Sequence, residues 1–514
     1  MELDERLNIA QRFLTARLEE GGGDRVALRL ENGDLSYADV EAMASRAAHL
    51  LRDLGVRREE RVFIALPDGP EFVAALFGSF KLGAVAVMIN PSLKPERLAA
   101  LFDYCLPRLA VLDAGLLASW EEARGRTEAP PDLLVVGGDA GAHASWDALL
   151  PQADEAFPAV PTHPDDPALW LFSGGTTGLP KAVVQTHRSY ANTTELYGRR
   201  TLGLTAEDIT LSVPKLYFGY ATGCNLFFPF SVGASAALYA EPPSAEVLFE
   251  HIARHRPTVL VNVPSMVQQM VNHPAAQEQD LSCLRFATSA GEALPVPLYE
   301  RWKETFGVEL LDGLGTAEMW HIFLTNRPGD VRPGTLGRPV EGFDVRVRDE
   351  QGHDLPVGET GELWVRGDSQ ALGYWRNLET SKRVFRGDWV VTGDLVTRDA
   401  EGYFHYRGRG DDVLKVKGKW LAPQEVESCL ARHPQVVECA VVGVEDDEGL
   451  TKPIAFVVPR GATDGLEETL KAHVLAHLQP YKHPRRVILL DEFPRTHLGK
   501  IDRRALKDLA VARP

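Results

Sequence analysis

Apolar and polar positions near the amino end of the chain alternate with the periods of helices and strands. Ser36 and Asp39 have the separation of a capping box, which predicts the start of a helix. The apolar positions that follow have helical spacing: Val40, Met43, Ala47, Leu50 and Leu54. Further runs predict a strand at 61–66, a helix at 71–82 and a strand at 84–90. This alternation is typical of a parallel sheet covered by helices.

The pattern changes near residue 334. The helix and strand alternation returns between 234 and 287, but beyond 334 the chain has short β-like runs at 343–348 and 361–366. Turn-rich stretches such as 351–354 separate them. This texture predicts a smaller β-rich subdomain.

A polar, glycine-rich stretch at 407–412 lies between two β-like segments, as in many links between domains. We therefore predict a domain over 1–408 and a second over 409–514. The second is predicted to contain strands at 440–444 and 453–459 and helices at 423–433 and 466–478. The predicted fold class is α/β: a large N-terminal domain of helix-flanked sheets with a β-rich subdomain, and a small α+β C-terminal domain.

Composition narrows the class of protein. A chain of 514 residues exceeds what one hydrophobic core usually supports, and the net charge of -17 argues against a nucleic-acid partner. Five cysteines without a Cys-x-x-Cys pair fit a reducing compartment. The acidic start lacks the pattern of a signal peptide, so a cytoplasmic location is expected. Lys81 interrupts the apolar region 72–89, which predicts a buried helix rather than a membrane span.

The stretch 173–181 reads Ser-Gly-Gly-Thr-Thr-Gly-Leu-Pro-Lys. An ordinary surface turn has a similar composition. A Walker loop is excluded, because Leu179 and Pro180 separate Gly178 from Lys181. The stretch nevertheless suits phosphate, since glycines expose backbone N–H groups, hydroxyls donate hydrogen bonds and the lysine supplies a charge.

Five further motifs stand downstream in a fixed order: Ser-Ala-Gly-Glu-Ala-Leu-Pro at 289–295, Asp-Gly-Leu-Gly-Thr-Ala-Glu at 312–318, Val-Thr-Gly-Asp at 391–394, Gly-Arg-Gly-Asp-Asp at 408–412 and Pro-Arg-Thr-His-Leu-Gly-Lys at 494–500. Together with 173–181 they resemble the signature series of the adenylate-forming superfamily, which includes acyl-CoA synthetases, adenylation domains and firefly luciferase. The resemblance spans almost the whole chain. It implies an enzyme that uses ATP, Mg²⁺ and coenzyme A to activate a carboxylic acid through an acyl-adenylate.

The resemblance also implies roles for residues that hold the nucleotide. Thr176, Thr177 and Lys181 would act on the phosphates, and Glu318 would hold magnesium, although a surface acid is the simpler alternative. Asp394 and Arg409 would bind the ribose. The remaining nucleotide-binding positions are Ser173, Gly174, Gly175, Gly178, Gly291, Glu292, Ala293, Asp312, Gly313 and Thr316.

One position departs from the family pattern. Ala317 stands where the family usually has a threonine before the metal-binding glutamate, and Thr316 precedes it. Either the Thr316 hydroxyl or a backbone N–H would then contact the α-phosphate. Loss of one neutral hydrogen bond costs about 0.5–1.5 kcal/mol, so activity is expected to survive.

In the last domain, Lys500 resembles the lysine that bridges the carboxylate and the α-phosphate during adenylation. Asp411 matches the hinge about which the family's small, mobile domain rotates between its two half-reactions. Lys415 and Gly418 lie on the segment that would then line the coenzyme A channel.

Three stretches look most like benzoate-CoA ligases and related aryl-CoA ligases: 215–220, 312–327 and 373–375. The implied pocket residues are Phe218, Gly219, Tyr220, Ala290, Leu314, Gly315, His321 and Ile322. Plain core aromatics are the alternative for 217–220. Benzoate-specific members have alanine at the position of Gly219, so the missing methyl group indicates a substituted benzoate such as 2-aminobenzoate, with His321 or a backbone carbonyl facing the substituent.

Two other functions remain open at this point. A carrier protein could accept the aryl group instead of coenzyme A, or the chain could be a non-catalytic sensor of nucleotide or aryl acid, to which the alanine at 317 lends some support. Lys181, Glu318, Asp394 and Lys500 argue against the sensor, because a binder does not need a mobile catalytic lysine. The sequence leaves the oligomeric state open, a homodimer included.

Overall fold

The structure is a computed structural model that describes residues 5–173, 180–410, 414–416, 419–421, 423–445, 450–495 and 501–512. Its first section contains the strands β1 (Val26–Arg29), β2 (Leu35–Ser36), β3 (Arg61–Ala65), β4 (Val85–Met88), β5 (Leu109–Asp113), β6 (Asp132–Val136), β7 (Ala144–Ser145), β8 (Pro167–Ser173) and β9 (Lys181–Thr186). The α-helices between them are α1 (Ala16–Glu19), α2 (Tyr37–Asp53), α3 (Pro70–Leu82), α4 (Pro95–Cys105), α5 (Leu117–Arg124) and α6 (Trp146–Leu149).

The strands β9-β8-β4-β3-β5-β6-β7 lie side by side in one sheet, and β3 pairs in parallel with β4 and β5. The capping box predicted at the start of α2 is confirmed, because Ser36 accepts from the Asp39 N–H and the Asp39 side chain accepts from the Ser36 N–H. The predicted helix at 71–82 is α3, which begins one residue earlier at its proline.

The helix α3 is buried along almost its whole length. Its one cation, Lys81, is 1% exposed and is neutralised by Glu41, whose Oε1 lies 2.6 Å from the Lys81 Nζ. A buried ammonium needs such a partner because an unpaired charge is costly in a low-dielectric interior. Within the described residues, no helix is long and apolar enough to cross a membrane. The prediction of a buried helix at 72–82 is therefore confirmed.

The second section adds the α-helices α7 (His187–Thr193), α8 (Gly219–Thr222), α9 (Phe228–Val232), α10 (Ala245–His255), α11 (Pro264–Asn272) and α12 (Val296–Phe306). Its strands are β10 (Ile209–Ser212), β11 (Ser235–Ala237), β12 (Val259–Asn262), β13 (Phe286–Ser289), β14 (Leu310–Gly315), β15 (Ile322–Thr325) and β16 (Arg338–Pro339). They form a nine-stranded sheet in the order β16-β15-β14-β13-β12-β10-β11-β1-β2. The strands β10, β12, β13 and β14 run in parallel, so their carboxyl ends meet at one edge, where α/β sheets commonly bind ligands.

The predicted β-rich subdomain follows, with β17 (Asp344–Arg348), β18 (Thr360–Arg366), β19 (Gly373–Tyr374), α13 (Leu378–Val384), β20 (Phe385–Arg386), β21 (Trp389–Arg398) and β22 (Phe404–Arg409). Strands β17, β18, β20, β21 and β22 form an antiparallel sheet, whereas β19 pairs with β9 and extends the first sheet. The predicted linker at 407–412 overlaps a strand at its start. Residues 407–409 are the last part of β22, because Arg409 pairs with Asp394 across the ladder.

The C-terminal section contains β23 (Leu414–Val416), β24 (Lys419–Leu421), α14 (Pro423–Leu430), β25 (Val436–Glu445), β26 (Thr451–Pro459), α15 (Leu466–His477), β27 (Arg486–Leu489) and α16 (Arg503–Ala512). Its three-stranded sheet, β25-β26-β27, packs against α14, α15 and α16. The Nε2 of Gln268 on α11 donates to the carbonyl of Val437, 2.5 Å away, which joins this section to the larger one. The α/β fold class with a small α+β C-terminal section is as predicted, while the boundary at 408/409 stays a prediction.

Candidate active site

The phosphate-binding stretch begins and ends on two paired strands. Ser173 ends β8 and Lys181 begins β9, and the two residues are opposite each other in the ladder. The Ser173 hydroxyl is buried and has no hydrogen-bond partner among the described residues, so it keeps a donor for a ligand. Five of the predicted phosphate ligands lie outside the described residues: Gly174, Gly175, Thr176, Thr177 and Gly178.

Three side chains form what we call the Glu318 cluster: Lys181, Glu318 and Tyr374. The Tyr374 hydroxyl donates to Oε1 of Glu318 over 2.6 Å. The Lys181 ammonium lies 4.8 Å from the centre of the Tyr374 ring, within the range of a cation–π contact. Burial and the Glu318 carboxylate raise the pKa of Tyr374, so its hydroxyl stays protonated and remains a donor. The Tyr374 side chain therefore contacts both Glu318, the predicted magnesium ligand, and Lys181, the predicted phosphate ligand.

Glu318 meets the requirements of a magnesium ligand. Its carboxylate is a hard oxygen donor, as Mg²⁺ prefers. Tyr374 occupies only Oε1, which leaves Oε2 without a hydrogen-bond partner in the described part of the chain. The bond to tyrosine also restricts the side-chain rotamer of Glu318, and hydrogen bonds of this kind commonly orient metal ligands.

The segment that carries Glu318 is held in a strained turn. Thr316 caps the short 3₁₀ helix Ala317–Met319 by accepting from the Met319 N–H, so its hydroxyl proton remains free to donate. The Gln185 side chain donates to the Ala317 carbonyl over 2.6 Å. Trp320 then has a φ of 61°, and the His321 N–H donates to the Met319 carbonyl, which makes a γ-turn of the rare, strained type. Such strain is commonly stored at functional sites.

Gly315 is needed where this segment leaves the sheet. A Cβ atom added there would lie 2.3 Å from the His321 carbonyl oxygen and 2.5 Å from its carbon. Both atoms are backbone and cannot move aside. The close approach brings β14 against the strained turn and sets the positions of Leu314 and Ile322 on either side of the corner.

Asp394 and Arg409 form a pair on adjacent strands. The Arg409 Nη1 donates to Oδ1 of Asp394 over 3.1 Å, and the Tyr406 hydroxyl donates to the same oxygen over 3.4 Å. Burial raises the pKa of Asp394, while the Arg409 guanidinium acts in the opposite direction. The Glu318 carboxylate also contributes to this pKa, which places the pair close to the Glu318 cluster.

In the stretch predicted to line the adenine, Gly291 and Ala293 are accessible, whereas the Glu292 side chain is bound to the protein. No atom lies within 4 Å of a Cβ built on Gly291, and Ala293 is exposed. Glu292 is tied instead to α11, where its Oε2 accepts from the Ser265 N–H at the first turn. A carboxylate there is favoured by the helix dipole. Glu292 therefore anchors the loop and leaves the open positions to the ligand.

Buried polar atoms gather at the carboxyl ends of β13 and β14. Asp312 Oδ1 and the Ser289 hydroxyl are buried without hydrogen-bond partners among the described residues. They are opposite each other in the ladder, and Gly313 follows directly. Burial raises the pKa of Asp312 well above its ordinary value. The Ser289 hydroxyl acts against this shift of the Asp312 pKa, so the two side chains interact and form one buried polar group at the end of the sheet.

The aromatic stretch 218–220 begins the helix α8 and is only partly buried. The Tyr220 hydroxyl donates to Oγ1 of Thr288 on β13 over 2.6 Å. A Cβ atom on Gly219 would lie 2.9 Å from Cδ1 of Leu171. The space that the missing methyl group was predicted to open beside a ring is therefore occupied by Leu171, because the leucine side chain packs directly on the glycine.

His321 lies deeper than the prediction implied. It is 3% exposed and packs against the rings of Tyr197 and Phe228, while its Nε2 is 3.1 Å from the Tyr220 carbonyl. Burial lowers the pKa of His321 to about 4, so the ring is neutral at neutral pH and donates from Nε2 to that carbonyl. Its Nδ1 is buried without a partner among the described residues. His321 thus positions Tyr220. Ala290, another predicted pocket residue, directly follows β13 and is 4% exposed.

A buried acid, Asp68, and a buried lysine, Lys215, support the start of the same stretch. The Leu216 N–H donates to Oδ1 of Asp68 over 2.8 Å, and the Lys215 ammonium donates to the Tyr239 carbonyl over 2.7 Å. Burial raises the pKa of Asp68 and lowers that of Lys215, and each charge acts against the shift of the other. These two hydrogen bonds fix the backbone that leads to the aromatic residues.

Sequence reasoning missed the positioning roles of Tyr374, Asp68 and Leu171. Tyr374 had a visible signal, because it stands in the aromatic stretch 373–375 that resembles aryl-CoA ligases. Asp68 and Leu171 had no such signal, because an acidic residue after a strand and a leucine within a strand are both common. Their partners are 148 and 48 residues away and become neighbours only in the fold.

The Tyr374→Phe variant is expected to raise the KM for Mg·ATP about tenfold. It removes the hydroxyl that orients Glu318 but keeps the ring beneath Lys181. A hydrogen bond to a charged group contributes about 1.5–3 kcal/mol, and about 1.4 kcal/mol corresponds to a factor of ten. Steady-state kinetics with varied ATP at saturating Mg²⁺ measure the change.

The matched control is Tyr403→Phe, which removes a bond from a tyrosine hydroxyl to Oδ1 of Asp330, 2.9 Å long and away from the Glu318 cluster. It is expected to leave the KM for Mg·ATP unchanged. An equal rise in both variants would mean that the effect is a general loss of packing, and would contradict the positioning role of Tyr374.

The remaining predicted residues lie at the start and end of the C-terminal section. Lys500, Asp411 and Gly418 are outside the described residues. Lys415 lies on β23, opposite Trp420 on β24, and its backbone alone is described.

Comparisons with known proteins show which family the chain resembles. Residues 14–375 match the family model described as AMP-binding enzyme, and 425–500 match the AMP-binding enzyme C-terminal domain. The chain is 40% identical to benzoate-CoA ligase from Thauera aromatica over 512 residues, 99% of this chain and 97% of the relative. It is 34% identical to anthranilate-CoA ligase from Pseudomonas aeruginosa, over 92% of this chain and 90% of the relative. The crystal structure of the anthranilate-CoA ligase AuaEII with anthranoyl-AMP aligns over 100% of both chains with a TM-score of 0.95 and 36% identity.

Proposed function

The chain belongs to the AMP-binding enzyme family, and on that premise we propose that it is an AMP-forming aryl-CoA ligase for benzoate-type acids, 2-aminobenzoate among them. The carboxylate oxygen of the acid attacks the α-phosphorus of ATP, forms the aryl-adenylate and releases pyrophosphate. The thiolate of coenzyme A then attacks the carbonyl carbon, forms the thioester and releases AMP. The observation that carries the proposal is the Glu318 cluster, where a carboxylate and an ammonium are oriented by the same tyrosine.

The phosphates of ATP would lie between β8, β9 and the Glu318 cluster. The Ser173 hydroxyl and the Lys181 ammonium supply donors, together with the stretch 174–178. Both half-reactions develop negative charge on oxygen, and fixed donors stabilise such charge without reorganisation. Glu318 would hold Mg²⁺, which neutralises phosphate charge when bound.

The adenosine would be held from the other side of the cleft. Asp394 has acceptor oxygens for the two ribose hydroxyls, and Arg409, half-exposed beside it, can donate to the same sugar. Gly291 and Ala293 are open to a planar base, while Glu292 holds their loop on α11. Thr316 keeps a hydroxyl proton for the α-phosphate, and this supports the view that it replaces the threonine missing at 317.

The aryl ring would lie against Phe218, Gly219 and Tyr220, with Leu314 and Ile322 across the cleft. Flat apolar walls bind an aromatic ring well, and the few polar groups around them orient it. Gly219 stands where benzoate-specific relatives have alanine, and the absence of the methyl group allows the Leu171 side chain to pack against the backbone there. Substituent preference is therefore set by the pair formed by Gly219 and Leu171, not by an empty space.

The Gly219→Ala variant is expected to lower kcat/KM for 2-aminobenzoate relative to benzoate about tenfold. The new methyl group displaces Leu171, which lies 2.9 Å from it. One methylene in a tight apolar pocket changes discrimination between substrates by about 1–3 kcal/mol. The ortho amino group of 2-aminobenzoate needs more room beside residue 219 than the hydrogen of benzoate does, so it is the more affected by the added methyl group. Competition between the two acids for limiting ATP measures the ratio directly.

Two further variants test the contact. Leu171→Val shortens the opposing side chain and is expected to restore the ratio in the Gly219→Ala background. Gly125→Ala is the glycine control, because the nearest atom to its Cβ is 3.6 Å away. An unchanged ratio in Gly219→Ala, or an equal fall for both acids, would show that this position does not select the substituent.

The C-terminal section would move between the two steps. Lys500 would neutralise the approaching anions during adenylation and then leave, rotating about Asp411, before the thiol reaches the same carbonyl. Lys415 and Gly418 would then line the path of pantetheine, where a glycine allows close approach to the backbone. We keep 408/409 as the proposed boundary in the sequence and place the rotation after β22, which ends at Arg409. All five cysteines are free, which supports a reducing, cytoplasmic location.

The test of the function is exchange of labelled pyrophosphate into ATP, measured with and without each member of a panel of substituted benzoates. Exchange that depends on the aryl acid is expected, followed by thioester formation with coenzyme A. Thioester formation on a carrier protein but not on coenzyme A would show that the carrier protein is the acceptor of the aryl group. Absence of acid-dependent exchange with every aryl acid would overturn the proposal and favour a binding protein.

A further inference from the structure

A cysteine and two histidines meet in the C-terminal section, on the side chains of two packed helices. Cys429 lies near the end of α14, and His473 and His477 lie on α15. One ligand atom from each residue, the sulfur or a ring nitrogen, lies within 4.8 Å of the other two. We call these three residues the Cys429 site. None of them has a role in the proposed ligase reaction.

The helical spacing explains why the two histidines act together. Positions four apart lie on the same face of a helix, so His473 and His477 point the same way along α15, and their ring centres are 4.5 Å apart. The cysteine comes from the helix that packs against this face. Cys429 is 5% exposed, His473 is half-buried and His477 is exposed, so the group forms a short passage from solvent to the sulfur.

Hydrogen bonds fix both histidine rings. The Nδ1 of His477 donates to the His473 carbonyl over 2.8 Å, and the Nε2 of His473 donates to the Cys429 carbonyl over 3.1 Å. In each neutral ring the other nitrogen then keeps its lone pair. Histidines that bind metals almost always donate their second nitrogen to a carbonyl or a carboxylate in this way.

The neighbouring His433 has the opposite arrangement. Its ring centre lies 5.2 Å from that of His473, but its Nδ1 already accepts from the Gln435 N–H over 3.3 Å. The neutral ring therefore carries its proton on Nε2, and its one ring lone pair, on Nδ1, already accepts a hydrogen bond. His433 borders the Cys429 site without offering a lone pair to it.

We propose that Cys429, His473 and His477 bind a transition-metal ion of the zinc type, with water in the fourth position. One thiolate and two imidazoles are ligands that zinc prefers, and hard ions such as Mg²⁺ prefer oxygen instead. The ion would displace the thiol proton of Cys429, which burial otherwise retains by raising the pKa of this thiol. Small side-chain rotations bring the three atoms to the shorter separations of a tetrahedral site.

The position of the site indicates what the ion would do. It joins α14, which follows β24 directly, to α15, so a bound ion ties the first helix of the C-terminal section to its largest one. An ion that binds only the folded form stabilises it in proportion to the logarithm of its concentration over Kd. The site would therefore make the stability of the C-terminal section depend on zinc.

The test uses full-length protein without a histidine tag, titrated with Co²⁺ as a spectroscopic substitute for zinc. One ion per chain is expected, with the charge-transfer band of a thiolate ligand and the visible bands of tetrahedral cobalt, all displaced by Zn²⁺. Cys429→Ser is expected to abolish the charge-transfer band, and His477→Gln to weaken Zn²⁺ binding at least about tenfold. Zn²⁺ is also expected to raise the Tm of the parent protein but not of Cys429→Ser.

Controls separate the site from adventitious binding. Cys283→Ser removes a partly exposed thiol elsewhere, and His433→Gln removes the adjacent ring whose nitrogens are occupied, so both should bind Zn²⁺ like the parent protein. A charge-transfer band that survives in Cys429→Ser would overturn the proposal. So would equal losses in His433→Gln and His477→Gln, or binding with no fixed stoichiometry.

Discussion

Replacement of Lys500 by alanine is expected to lower the rate of aryl-adenylate formation about a hundredfold to a thousandfold, while thioester formation from pre-made adenylate survives. Two anions, the carboxylate and the α-phosphate, must approach to bonding distance in the first step, and the ammonium group offsets their repulsion. Loss of one fixed donor to developing oxyanion charge typically costs this much. The second step has no such pair of anions, so it does not need the lysine.

The two half-reactions are measured separately, by pyrophosphate exchange and by thioester formation from synthetic aryl-adenylate and coenzyme A. Lys507→Ala on α16 is the control, because it removes an ammonium group from the same section without a role in the reaction. It should leave both rates unchanged. An equal loss of both half-reactions in Lys500→Ala would contradict the assignment and indicate a damaged C-terminal section.

Local patterns predicted the elements of this fold well, because the signals are local. The Ser36 capping box and the helix that begins at Pro70 follow from short stretches of sequence, and the parallel pair β3 and β4 follows from the strand–helix–strand order around that helix. The glycine-rich linker was less predictable. Arg407–Arg409 look like a loop in sequence, but the ladder with β21 extends the strand through them, since hydrogen bonds to a distant partner outweigh a local preference.

The site was predictable to the extent that its chemistry lies in contiguous motifs. Glu318, Asp394 and Lys181 were found because each stands in a recognisable stretch. What positions them was not, because a bond such as the one from Tyr374 to Glu318 joins residues 56 apart. The same holds for Gly219, where the pattern indicated an altered pocket but could not reveal that Leu171 fills the space.

His321 illustrates a second limit. Its place in the stretch 312–327, which resembles benzoate-CoA ligases, implied contact with the substrate, and nothing in the sequence distinguishes a ring that faces the cleft from one that supports it. In the structure, His321 follows the γ-turn at Trp320, and its imidazole contacts the Tyr220 carbonyl. A backbone conformation of this rarity has no reliable sequence signal.

Replacement of Asp394 by alanine is expected to lower kcat/KM for ATP about a hundredfold or more, with the KM for the aryl acid little changed. The variant removes the acceptor of the two ribose hydroxyls, and hydrogen bonds to a charged group contribute about 1.5–3 kcal/mol each. Arg409, which donates to Asp394 over 3.1 Å, loses this bond and keeps its bond to the Thr392 carbonyl, so it is held less firmly beside the sugar. Initial rates with varied ATP and saturating aryl acid measure the effect.

Stability should not fall with activity in this variant, and that contrast distinguishes binding from folding. The fold raises the pKa of Asp394 by burial, so folding favours the protonated acid, and the ionised form lowers the stability of the protein at neutral pH. Asp344→Ala is the matched control, since Asp344 accepts from Arg366 on the adjacent strand of the same sheet, 3.0 Å away, as Asp394 does from Arg409. The control should retain its kcat/KM for ATP. A large fall in the Tm of Asp394→Ala, or an equal kinetic loss in the control, would mean that this acid holds the sheet together instead of holding the nucleotide.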